Sequence, residues 1–396
     1  MSARHPWRAT FVAALCLVAV LTAACGTSVS SNSSSNTPIQ VGAAVGRTGY
    51  LSAVDSPLAT GIQLAANTVN SQGGVDGHKL DVHIIDMASV ASTGVTATNQ
   101  LLNQYNADVI MTGASSAGTA AEAPIAERRQ VPMIVDTVLP PNPKWVFSVL
   151  PLVNNFVSGE LGFASKSLHA STVGFIYSQT PYGQQASQIA EQTAAQYGLK
   201  VAVNAGVDAT ATDVSPLLSR MRDAGAQVIL TILTGPIQLV VAKNAASLGL
   251  TMPLVMGADD PGTLQSASAS YANSYLLASA PQAYPDVPIA SRKAAVKAFR
   301  DQWAKEGQGL TGIVGATGGW DEVQLLVSAV KASHATKGPA LRDALEKASL
   351  VGTTTDYHYS AGDHTGQQKV ANPFAIAQYH GSTLKIVSPF PTTPAG

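Results

Sequence analysis

The sequence predicts an α/β protein built as two similar lobes, each a parallel sheet wrapped by helices. Three observations carry that prediction. Short apolar runs suited to buried strands alternate with stretches whose apolar residues recur at helical spacing. The alternation halts over Pro143 to Asn155 and then restarts. Hydrophobic residues make up 46% of the 396-residue chain and charged ones 12%, which is ample material for two large cores.

The elements follow in order. Ile39 to Val45 reads as a short buried strand. Pro57 to Asn70 has Leu58, Ile62, Ala65, Ala66 and Val69 on one helical face. Lys79 to Asp86 alternates as a strand, Thr93 to Gln104 is helical, and Ala107 to Gly113 is a strand. Thr119 to Arg129 reads as a helix and Pro132 to Val135 as a strand. After the pause come Thr172 to Tyr177 (strand), Tyr182 to Tyr197 (helix), Lys200 to Val207 (strand) and Val214 to Ala224 (helix). Val228 to Leu233 (strand), Ile237 to Leu248 (helix) and Pro253 to Gly257 (strand) complete the second series. Ser291 to Glu306 and Gly319 to Ser333 are two further helices. Phe299 and Trp303 lie one turn apart, as core residues do.

The N-terminus sets the compartment. Arg4 and Arg8 precede an unbroken apolar run from Phe11 to Leu21, too short for the roughly 20 residues a membrane span needs. It ends in Leu21-Thr22-Ala23-Ala24-Cys25, which resembles the lipobox of bacterial lipoproteins; Thr22 stands where Leu, Val or Ile is more usual. Residues 1–24 are therefore expected to be a signal peptide with a lipobox, and Cys25 the lipidated mature N-terminus. The plainer reading is an ordinary secretory peptide with an incidental cysteine. Residues 25–37, rich in Ser and Asn, form a flexible tether. Loss of Arg4 and Arg8 takes the 23 basic residues to 21 against 24 acidic, a net charge of −3. No basic surface for nucleic acid is indicated. With Cys16 discarded and Cys25 carrying lipid, the mature fold has no pair for a disulfide.

Four segments together resemble the substrate-binding proteins of the branched-chain amino acid transporter class, the type I periplasmic binding proteins. They are Asn70-Ser71-Gln72-Gly73-Gly74-Val75-Asp76-Gly77-His78-Lys79-Leu80 with Asp86; Gly113-Ala114-Ser115-Ser116-Ala117-Gly118-Thr119 with Val131-Pro132; Tyr182-Gly183 with Thr212-Asp213-Val214; and Gly319-Trp320-Asp321-Glu322, taken as opening a late helix. The resemblance runs from about Pro38 to the C-terminus. It implies two lobes joined by three crossovers, closing by a hinge on a ligand in the cleft between them. Lobe one is expected at 38–156 plus 283–347, and lobe two at 157–282 plus 348–396.

The resemblance also implies site residues. A Ser in the loop 115–119 holds a ligand carboxylate in the family, and Ser116 aligns better than Ser115; helix N-termini suit anions. Thr119-Ala120-Ala121-Glu122 has the capping-box pattern. Thr137 offers a backbone N–H or hydroxyl. Asp136 replaces the usual Pro and either binds a ligand amine or caps its loop. Asp259 stands where the amino acid binders carry a Glu for the α-amino group, one methylene shorter; a solvated turn acid is the alternative. Tyr182 matches a ligand-contacting Tyr. Thr234 and Val54 stand where those binders have Tyr, although Tyr50 is near enough to fill the second place. Trp320 either lines the cleft or packs in the core.

Catalytic and cofactor patterns are lacking: there is no nucleophile elbow, phosphate-binding Gly-rich loop or zinc-type His pair. Alternation splits Asp356, His358, Asp363 and His364 between faces, so no metal is expected, no cofactor is called for, and the protein is not expected to be an enzyme. The implied role is a monomeric, lipid-anchored solute receptor at the outer face of the cytoplasmic membrane. It hands an amino acid, amide or small carboxylate to an ABC permease and touches the membrane only through its anchor. A ligand-sensing or interaction lipoprotein of the same fold, without transport, is the alternative.

Overall fold

The computed structural model describes residues 37–307, 309–367 and 372–390. The signal peptide, Cys25 and almost all of the tether lie outside the described residues. No helix among those described is long and apolar enough to cross a membrane.

Two sheets organise the chain. The first runs in the order β2-β1-β3-β4-β5 and is parallel throughout, with β1 Ile39–Val45, β2 Leu80–Asp86, β3 Val109–Thr112, β4 Met133–Val135 and β5 Val146–Ser148. The second repeats that order. Its parallel strands are β6 Thr172–Ser178, β7 Lys200–Val207, β8 Val228–Ile232, β9 Leu254–Met256 and β10 Ser274–Ser279, arranged β7-β6-β8-β9-β10. The inner strands β1, β3, β4, β8 and β9 are buried almost throughout, as sheets covered on both faces require, whereas the edge strands β2 and β7 are half-exposed. The restart in the sequence is therefore a true structural repeat.

The sequence pattern missed the far edge of sheet two. A short pair, β11 Ser349–Val351 and β12 Asp356–His358, precedes an antiparallel hairpin. That hairpin, β13 Phe374–His380 and β14 Thr383–Ser388, extends the second sheet beyond β10. The return to lobe two also comes later than the expected residue 348. Tyr357 and Tyr359 are buried in the core of the first sheet, and their hydroxyls donate to the backbone carbonyls of Val149 and Ser148. The chain joins sheet two only at Phe374. It thus passes between the sheets three times: after β5, after β10 and before β13.

Lobe one is closed by helices from opposite ends of the sequence, Ser52–Ser71 and Ile313–Ser333. Their crossing is set by glycine. A Cβ on Gly61 would lie 2.1 Å from the Ala316 carbonyl oxygen, one on Gly315 2.0 Å from that of Val54, and one on Gly319 2.1 Å from that of Leu58. The helices therefore meet backbone to backbone, closer than any side chain permits. The second helix begins at Ile313, not Gly319, so Gly319-Trp320-Asp321-Glu322 lies inside it. Trp320 packs edge-on to Phe299 at 5.6 Å in the core and is absent from the cleft wall.

Candidate functional site

A cavity of about 80 Å³ lies between the two sheets. Its walls come from the carboxyl ends of matching strands in both lobes, where ligands of open α/β sheets sit. Val54 follows β1, Ala114 follows β3, Asp136 and Thr137 follow β4, and Val149 to Pro151 follow β5. From the other side, Tyr182 follows β6, Thr234 follows β8, Ala258 and Asp259 follow β9, and Ser279 ends β10. Helix Ile313–Ser333 contributes Val314, Thr317, Gly318 and Asp321. Phe156, Tyr357 and Phe374 complete an aromatic wall with Tyr182, in which Phe156 meets Tyr182 edge-on at 6.0 Å.

The sequence-expected residues divide between two places. Thr137, Tyr182, Thr234 and Asp259 line the main cavity. Tyr50 and Ser116 instead line a smaller neighbouring cavity of about 10 Å³, shared with Tyr182 and Thr234. Ser115 lines neither: it is the N-cap of helix Ser116–Arg129, its Oγ accepting from the Gly118 N–H at 3.1 Å. This helix begins three residues before the capping-box pattern. Thr119 bonds the Thr112 hydroxyl and Glu122 accepts from Thr98, so no capping box forms there. Ser116 Oγ accepts from the Tyr182 N–H of the opposite lobe at 3.4 Å, and Asp260 Oδ1 accepts from the Gly312 N–H at 3.0 Å. The lobes touch across the cleft.

Three acids face this cavity, and their carboxylates are held differently. Asp259, 2% exposed, accepts from the backbone N–H groups of Gly235 and Asp260, both at 2.7 Å, and so ties two loops of lobe two. Asp321, 3% exposed, accepts from the Thr353 N–H and hydroxyl, holding the β11–β12 turn to its helix. The carboxylate of Asp136 has no hydrogen-bond donor among the described residues. It sits over Gly318, where a Cβ would lie 2.1 Å from Oδ2. Burial, reinforced by the charges of Asp55 and Asp321, pushes Asp136 up to about 7. Burial likewise pushes Asp259 and Asp321 up to about 7, against the opposing pull of their backbone donors. Arg292, a buried basic group bonded to the cavity-lining Thr354, is already paired: it contacts Asp356 at 2.8 Å and donates to the Thr354 carbonyl at 2.7 Å.

Sequence reasoning placed Asp321 in a motif but not in the cleft, because a helix start at Gly319 hid its position. It gave no sign of Glu160, nor that Glu322 of that same motif is enclosed; both are fully buried, and none of their carboxylate oxygens has a hydrogen-bond partner among the described residues. Burial drives both well above the ordinary carboxylate range. His364 stacks on Phe147 at 4.2 Å and contacts Glu346 at 3.2 Å, and no group of three ligating side chains suits a metal among the described residues.

A family model described as periplasmic binding protein matches residues 38–381. The chain belongs to the periplasmic binding protein family. Among curated relatives, it is 26% identical over 248 residues to a Pseudomonas aeruginosa protein named leucine-, isoleucine-, valine-, threonine-, and alanine-binding protein, covering 61% of this chain and 65% of that one. A Brucella abortus Leu/Ile/Val-binding protein homolog is 24% identical over 46% of this chain and 48% of its own length. The chain thus spans between about half and two thirds of these relatives. Solved structures agree in fold. An extracellular ligand-binding receptor from Rhodopseudomonas palustris superposes with a TM-score of 0.79 at 18% identity, over 89% of this chain and 99% of that one. A branched-chain amino acid transporter substrate-binding protein from Streptococcus pneumoniae, solved with isoleucine, gives 0.73 at 22%, over 89% and 100%. Another Rhodopseudomonas palustris solute-binding protein, solved with 4-hydroxybenzoate, gives 0.74 at 18%, over 90% and 97%.

Proposed function

We propose that this family member is the solute-binding protein of an ABC importer, and that it binds a small amino acid-like, amide or carboxylate solute by closing its two lobes. The observation that carries this reading is the cavity itself. It lies between two sheets of the same strand order and is walled by the strand ends of both. Its size suits a solute of a few non-hydrogen atoms, since a single water needs about 10–15 Å³ on the same scale. Ser116, beside the opposite lobe's Tyr182, and Thr137, Thr234 and Asp259 in the main cavity are the groups we assign to the ligand, with Tyr182 covering its body. The assigned role is binding, without turnover. Cys25 carries a lipid that holds the protein at the outer face of the cytoplasmic membrane, on the tether that follows.

The test is a thermal-shift screen of the chain against amino acids, amides and small carboxylates. A solute at 100 times its Kd raises stability by about 2.7 kcal/mol, which is a measurable rise in Tm. A hit whose affinity falls at least tenfold in Asp259→Ala supports the reading; a folded protein that responds to no solute removes it. Mass spectrometry of the mature N-terminus tests the anchor: a diacylglycerol-modified Cys25 is expected, and an unmodified terminus elsewhere would overturn it.

A further inference from the structure

We propose that the solute taken by this cleft is a small organic ammonium ion, with Asp136 as its counter-ion. The inference rests on the cleft being a solute site and goes further by fixing the charge of the solute. Asp136, Asp259 and Asp321 line the main cavity, whereas no Lys, Arg or His does. Asp259 and Asp321 are already engaged by two or more donors each. Asp136 is not, and its carboxylate lies over the bare Cα of Gly318, which also lines the cavity.

A second observation is independent of the acids. Thr137, beside Asp136 on the same strand end, is 2% exposed and lines the cavity, yet its hydroxyl makes no hydrogen bond among the described residues. A cavity-lining hydroxyl without a protein partner is free to bond a ligand. An ammonium group supplies donors for Asp136 and Thr137 together. The surrounding Tyr182, Tyr357, Phe156 and Phe374 add apolar contact for a carbon body and π-faces that attract cations. A solute that is only an anion would bring a fourth negative charge among three carboxyl groups with no basic side chain in the wall.

The pairing is also a repeat of position. Asp136 follows β4 and Asp259 follows β9, the fourth strands of the two matching sheets. Lobe two has used its acid to tie loops, and lobe one has left its acid open.

Calorimetric titration of the full chain with four probes of one carbon body tests the inference: isopentylamine (cation), leucine (zwitterion), isovaleramide (neutral) and isovalerate (anion). Isopentylamine is expected to bind at least tenfold more tightly than isovaleramide, and isovalerate not at all. Asp136→Asn is expected to abolish the preference for the amine over isovaleramide. Gly318→Ala, which crowds the carboxylate, should produce the same loss. Equal or tighter binding of isovalerate or isovaleramide, or an amine preference that survives Asp136→Asn, overturns the ammonium assignment and leaves the receptor reading intact. Silence from all four probes overturns both.

Discussion

Asp136→Asn should make the ligand-free protein more stable at pH 8, and by an amount that vanishes in acid. The carboxylate has no hydrogen-bond donor among the described residues, so the amide loses no partner. Folding raises its pKa from 3.8 to about 7, chiefly by burial and then through Asp55 and Asp321. Below pH 3.8 the group is neutral in both folded and unfolded chains and contributes nothing. Between that value and 7 the unfolded chain gives up its proton first, so stability falls as pH rises. Above about 7 the folded state carries the cost of an unpaired charge in a half-buried site. At about 1.4 kcal/mol per pKa unit that cost is roughly 4 kcal/mol, and water reaching the cavity lowers it to about 2. Arg292, Asp259, Asp321 and Glu322 remain in the variant, so the difference isolates one carboxylate. Urea titrations of both proteins at pH 4 and pH 8 measure it. Equal stability at pH 8, or the same gain at pH 4, would refute the reasoning.

Other expectations follow from the same geometry. Because burial raises Asp55 to about 6 and Glu122, Asp259 and Asp321 to about 7, the wild-type protein should be more stable near pH 5 than pH 8 at constant ionic strength, with Tm falling across that range; a rising Tm would contradict it. Gly319→Ala places a Cβ against the Leu58 carbonyl and should cost about 1–3 kcal/mol or more by denaturant midpoint, whereas Gly362→Ala, where a Cβ meets nothing within 4 Å, should cost little. Arg292→Ala leaves Asp356 without its buried partner and should cost about 3 kcal/mol. Asp259→Asn should weaken both loop ties and lower solute affinity, with wild-type affinity in that variant counting against its place in the site.

The sequence was most legible where strands alternate with helices at regular spacing. Strands β1 to β4 and β6 to β9 are apolar or alternating runs between turn residues, whether buried as β3 and β8 are or half-exposed at an edge as β2 and β7 are. Strands β5 and β10 went unread, β5 because it lies within the stretch 143–155 that reads as a pause between series, and β14 alternates exposed and half-buried positions as an edge strand does. The helix from Ile313 was misread at its start because Gly315, Gly318 and Gly319 look like a loop. They serve instead to admit the neighbouring helix and the Asp136 carboxylate. Thr137, Tyr182, Thr234 and Asp259 were singled out by the resemblance, on loops after strands, and all four line the cavity. Ser115 was not separable from Ser116, since a hydroxyl that caps a helix and one that faces a cavity are the same residue type. Nor could helical spacing reveal Glu160 and Glu322, because an acid on a helix reads as solvent-facing until the packing is known.

The glycine-seated pair of helices also dictates an order of assembly. The sheet that starts at Ile39 is covered by a helix that ends at Ser333, so lobe one cannot be completed while the chain is still emerging. The five parallel strands of sheet two, from Thr172 to Ser279, are contiguous and need no such wait. A nascent chain stopped before Ile313 would leave one face of Leu58, Ile62 and Ala65 bare to water, open to chaperones and to aggregation. The first lobe written in the sequence therefore waits for a helix that follows the whole parallel sheet of the second.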